Sequence, residues 1–178
     1  MNLAVILVIG AAVALGIVVR LAVSYSLQTK KGSNPADIRP IDVEAFRNLI
    51  NPAEDEYLRR RLPPVEFRMV RRARLGAMAA YVQVAAKNAA VLMGVGESAL
   101  ASGDPRIAEA AQQLVNHAVL LRRNTTVALA RIYLALLYPG SEFAAVRVVD
   151  RYEQLSGSAM LLGRLQNPAT AVRLSSHS

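Results

Sequence analysis

Apolar positions are grouped unevenly along this chain. Residues 3–19 read LAVILVIGAAVALGIVV, with no polar side chain among them. Arg20 follows, then Leu21, Ala22 and Val23. An apolar stretch of about 21 residues at 1.5 Å rise covers about 30 Å, the thickness of a hydrocarbon core. The pattern predicts one transmembrane helix over residues 1–25. Arg20 lies near one end, where its head reaches the interface, and Tyr25 suits an interfacial anchor. A cleaved signal peptide is the rival reading, but only Met1 and Asn2 precede the run, and the run is long for a signal.

Residues 26–41 (SLQTKKGSNPADIRPI) carry turn and breaker residues and read as a linker of at most about 50 Å. Helix signals then follow one another. Asp42 caps a short helix that must stop before Pro52. Asn51-Pro52 opens a second short helix, which halts at Pro63-Pro64. Pro64 opens a third that runs to about Ala101. Asp104-Pro105 starts a fourth, ending near Tyr138 before Pro139-Gly140. Ser141 caps a fifth that continues to about Leu165, with a weak point at Ser156-Gly157-Ser158. Residues 167–178 read as a disordered tail. No segment alternates with period two for long enough to form a strand.

In the third helix Leu75, Met78, Val82, Ala85, Ala89, Leu92, Gly96 and Ala99 recur at spacings of three and four. In the fourth Ile107, Ala111, Leu114, Ala118, Leu121, Thr125, Ala128, Ile132 and Ala135 do the same. Such a seam predicts an antiparallel, coiled-coil-like hairpin. Phe143, Val146, Val149, Leu155, Met160 and Leu162 of the fifth helix offer a third wall. The expected fold is all-α. One N-terminal transmembrane helix precedes a soluble antiparallel three-helix bundle over residues 42–166, with two short helices on its edge. Residues 75–101 hold Gln83, Lys87, Asn88 and Glu97, so this stretch would cross a bilayer only at high cost.

Composition refines this picture. The chain has 178 residues, no Cys, no Trp and 2 His, and 21 Lys+Arg against 13 Asp+Glu give a formal charge of +8. Lacking Cys, it has no disulfide framework, thiolate zinc site or Cys nucleophile. Arg20, Lys30 and Lys31 flank the apolar stretch on its C-terminal side, and no charged side chain flanks the other. The positive-inside rule places the N-terminus outside the cell membrane and the helical domain in the cytoplasm. Gly10 with Ala14, and Ala12 with Gly16, are small-xxx-small pairs that let two membrane helices pack closely.

The basic excess is concentrated. Residues 59–74 contain seven arginines and one acid, Glu66. Arg59, Arg60 and Arg61 end the second short helix behind Glu54, Asp55 and Glu56. Helix electrostatics accounts for them, with Asp55–Arg59 and Glu56–Arg60 as i,i+4 pairs. Arg68, Arg71 and Arg72 share one face near the positive end of the third helix, where cations are disfavoured. An anionic partner would offset that repulsion. Anionic lipid headgroups and an acidic protein are the candidates. Nucleic acid is disfavoured, because no helix-turn-helix, zinc-finger or RNA-binding signature accompanies the charge.

Register arithmetic places three further expectations. Arg131 falls level with Asp150 of the fifth helix, predicting a structural ion pair with Glu153 as alternative acceptor. Asn88 falls level with Asn116 and His117, predicting polar contacts that fix the hairpin register. His117 is then more simply a satisfied core residue than a ligand.

No catalytic, metal or cofactor motif is present: G-x-x-x-x-G-K-[ST], G-x-G-x-x-G, H-E-x-x-H and G-x-S-x-G are all missing, and neither His follows a Glu at the di-iron spacing. The sequence therefore points away from an enzyme. It suggests a single-pass membrane-anchored scaffold or accessory subunit that docks a protein partner or a second copy at the membrane. Its alternative is a peripheral module binding anionic lipid through the arginine face. A membrane-tethered enzyme of unfamiliar type comes last.

Overall fold

A computed structural model describes residues 35–137 and 146–166. The expected transmembrane helix, the small-residue pairs at Gly10, Ala12, Ala14 and Gly16, most of the linker and the C-terminal tail lie outside the described residues. So do Phe143 and the side chain of Val146.

Every described element is helical. A short 3₁₀ turn, Pro35–Asp37, precedes α1 (Val43–Leu49), α2 (Pro52–Arg61), α3 (Pro64–Ala99), α4 (Pro105–Leu137) and α5 (Val146–Gln166). The end expected near Tyr138 and the Ser141 cap lie outside the described residues; the starts at Asp42, Asn51 and Asp104 act as the sequence suggests. Asp42 caps α1 by accepting the Ala45 N–H at 2.9 Å. Asn51 caps α2 by accepting the Ala53 N–H at 3.0 Å, with Pro52 at the first helical position. Asp104 accepts the Arg106 N–H at 2.8 Å at the start of α4. Ser156-Gly157-Ser158 does not interrupt α5. Ser156 and Ser158 instead donate back to the Tyr152 and Gln154 carbonyls within the helix.

α3 packs along α4, and α4 along α5. All eight expected seam residues of α3 are buried, and so are those of α4 except the half-buried Ile107. The seam is tight at Gly96. A Cβ there would stand 2.7 Å from Val115 Cγ2 and 3.2 Å from the Ala111 carbonyl oxygen. On α5, Val149, Leu155 and Leu162 are buried, whereas Met160, expected in the wall, is 61% exposed.

α1 is not an edge helix. α3 and α5 touch each other only sparingly, and residues 35–50 lie between them. Phe46 is 2% exposed and stacks on Tyr81 of α3, ring centroids 5.2 Å apart. Arg47 of α1 reaches Glu153 of α5 at 2.8 Å. Asn88 of α3, 1% exposed, binds the Arg39 main chain and the Tyr152 hydroxyl. The part of the expected linker from Pro35 onward is thus built into the helical body.

α3 is long and apolar enough to cross a membrane by length and composition. In this fold that apolarity is spent on the seam with α4. Asn88, about two-thirds along α3, is buried against polar partners.

Candidate functional site

Arg59, Arg60 and Arg61 turn inward on their own helix. Glu56 holds Arg60 at 2.8 Å and Arg59 at 3.6 Å. Arg61 lies over the Tyr57 ring, 5.7 Å from its centroid. The expected Asp55–Arg59 pair does not form, because Asp55 faces α3 instead. Its Oδ1 stands 3.0 Å from Arg74 Nε, an ion pair off the in-line angle of a hydrogen bond. Its Oδ2 is 3.9 Å from Arg71 Nε. Arg74 also donates to the Leu49 carbonyl at 3.0 Å. Arg74 and Arg71 thus fasten α2 to α3.

Arg68 and Arg72 are exposed, and among the described residues no acid pairs with either. They sit in the second and third turns of α3, past the first turn to which the helix macrodipole is confined. They do not stand alone. Val65, Arg68, Met69 and Arg72 follow the i, i+3, i+4, i+7 pattern of one helical face. Val65 is 59% and Met69 63% exposed. Beside them a cavity of about 330 Å³ opens between α3 and the last turn of α4. Arg68, Arg71 and Arg72 line it together with Val65, Phe67, Met69, Leu75, Ala135 and Leu136. The three arginines singled out in the sequence therefore meet an apolar groove that α3 alone could not make.

α4 has an outward face of its own, distinct from the cavity. Toward the N-terminus it shows Gln112, Gln113 and Asn116. Further along it exposes Val119, Leu120, Val127, Leu134 and Leu137. Residues 110–137 contain three arginines and no acid. This basic and apolar surface was missed in the sequence, where it is masked by the stronger seam pattern.

The other expected sites resolve differently. Arg131 and Asp150 are both exposed, and no ion pair joins them. His117 contacts Ser158 at 2.6 Å, which fixes the α4–α5 register. In that register Asp150 falls level with Thr125, and Arg131 lies beyond it along α4. Glu153, the alternative acceptor, is held by Arg47.

Asn88 does not meet Asn116 or His117. Gln83 bonds Tyr133 and Arg122 touches Met93, so α4 is displaced along α3 from the expected register. Asn116 instead accepts from Gln112 on its own helix at 3.1 Å. His117 and Ser158 approach as a base and a hydroxyl would, but Ser158 is 9% exposed and also lies 3.1 Å from the Gln154 carbonyl. The pair serves packing between α4 and α5. Among the described residues no group of three His, Asp or Glu side chains could hold a metal.

No protein-family model matches the chain, and no curated protein and no solved structure matches it.

Proposed function

We propose that the protein is a membrane-anchored helical scaffold or accessory subunit, and that it docks an anionic partner at the membrane through the basic, apolar end of the α3–α4 hairpin. In this reading residues 1–25 span the membrane once, with the N-terminus outside. The helical body, a three-helix bundle closed by residues 35–50, stands in the cytoplasm. One observation carries the proposal: Arg68 and Arg72, unmatched by any described acid, flank an apolar cavity. An anionic group there would offset the mutual repulsion of the arginines. Exposed apolar side chains grouped beside charges mark interaction surfaces.

The test is a photo-crosslinking residue placed at Met69, with Gln112 as an exposed control on the polar end of α4. In native membranes the full chain should give an adduct from position 69 and none from 112. Arg68→Gln combined with Arg72→Gln should reduce it several-fold. Equal adducts from both positions, or an adduct indifferent to the two arginines, would overturn the reading.

A further inference from the structure

Resting on that docking site, we infer that the cavity takes one anionic phospholipid, its phosphate on Arg68 and Arg72 and an acyl chain along the groove between α3 and α4. The two halves of the site demand different chemistry. Arg68 and Arg72 call for an anion. Val65 and Met69, both more than half exposed, lead down to Leu75, which is 4% exposed at the base. A water-soluble anion would leave that apolar wall unused. A neutral chain would leave the two guanidinium groups to water and their mutual repulsion uncompensated. An amphipathic anion satisfies both.

Size separates a lipid from a protein segment. A partner helix with its side chains is about 10–12 Å across. The cavity holds about 330 Å³, the low end of the range for small-molecule sites. A phosphate and the first methylenes of one chain fit that scale, with the rest of the lipid outside, and a whole helix does not enter it. Arg71 forms one wall and is steadied by Asp55. The only acid on the first turns of α3, Glu66, lies off the stripe that joins Val65, Arg68, Met69 and Arg72. Residues 110–137 of α4, the helix that supplies Ala135 and Leu136 to the cavity, carry no acid. Surfaces that lie against an anionic leaflet combine exposed apolar and basic side chains in this way.

The experiment uses the full chain purified in a neutral detergent, with retained lipid read by native mass spectrometry. Three probes are compared: phosphatidylglycerol, phosphatidylcholine with the same chains, and glycerol phosphate. One phosphatidylglycerol should be retained, with the other two bound at least about tenfold more weakly. Arg68→Gln with Arg72→Gln should weaken phosphatidylglycerol on the order of tenfold. Val65→Gln with Met69→Gln should weaken it as well, leaving glycerol phosphate binding unchanged. All four side chains are exposed, and circular dichroism verifies that each variant keeps its helix content.

Equal binding of the two lipids, glycerol phosphate as tight as phosphatidylglycerol, or wild-type retention in either double variant would overturn the inference. If phosphatidylglycerol fails while position 69 still crosslinks to a protein in an arginine-dependent way, the docking reading stands and the lipid falls. If both fail, both fall.

Discussion

Asn88 grips the main chain of Arg39 twice: its Oδ1 accepts the Arg39 N–H at 3.0 Å, and its Nδ2 donates to the Arg39 carbonyl at 2.6 Å. The same Nδ2 lies 3.2 Å from the Tyr152 hydroxyl. A single buried amide thus joins the N-terminal segment, α3 and α5. Asn88→Ala leaves these groups without partners and should cost about 2–4 kcal/mol, since an unsatisfied buried polar group costs about 1–3 kcal/mol. Thermal unfolding measures the loss. Limited proteolysis should show new cleavage near residues 35–41. Tyr152→Phe removes one bond and should cost only about 0.5–1.5 kcal/mol.

The glycines give a test of opposite signs. Gly96→Ala gains helix propensity of about 1 kcal/mol, but its methyl meets a stiff β-branched Val115 and a backbone carbonyl. Overpacking of this kind costs about 1–3 kcal/mol, so the variant should be less stable. Gly76 and Gly157 lie in helix interiors with nothing within 4 Å of an added Cβ. Alanine at either should stabilise by about 0.5–1 kcal/mol. Denaturant midpoints of the three variants decide the matter, and a stabilised Gly96→Ala would show that the seam yields.

Two ion pairs should differ in worth. Arg74 is largely buried, and it combines Asp55, Glu54 and the Leu49 carbonyl. Arg74→Ala leaves Asp55, 34% exposed, with only the more distant Arg71 and should cost about 1–2 kcal/mol. Arg47 and Glu153 form a closer but exposed pair, worth about 0–1 kcal/mol and weakened by salt. Double-mutant cycles at low and high salt separate the two cases.

Arg131→Gln and Asp150→Asn should each stay within about 0.5 kcal/mol of the parent, because both side chains are exposed and unpaired with one another. A coupling energy above about 1 kcal/mol in the combined variant would contradict the observed register.

The hairpin was legible because its signal is long. Leu75 to Ala99 and Ala111 to Ala135 repeat at three and four over many turns, and no local accident imitates that. Side-chain pairings were less legible because they need a register correct to one residue. Turn position gives it only to within several, so Asn88 and Arg131 were assigned the wrong neighbours. α1 is seven residues long and carries no period of its own. Nothing in Phe46 or Ile50 announces that they fill the space between α3 and α5. The choice of Asp55 between Arg59 and Arg74 was hidden because helix pairing rules see only the helix to which a residue belongs. At the candidate site the arginines were readable from charge, while the groove beside them needed Ala135 and Leu136 from a remote part of the chain.

The inserted position of residues 35–50 has a consequence for the order of assembly. Arg47 and Glu153 are 106 positions apart. During synthesis the wedge leaves the ribosome before any of the long helices it fits between. α3 and α4 meet through local contacts and can close early, but the slot for Phe46 and Arg39 is complete only after α5 has been made. The earliest portion of the body is therefore the last to find its neighbours, and its closure carries the long-range contacts that slow folding.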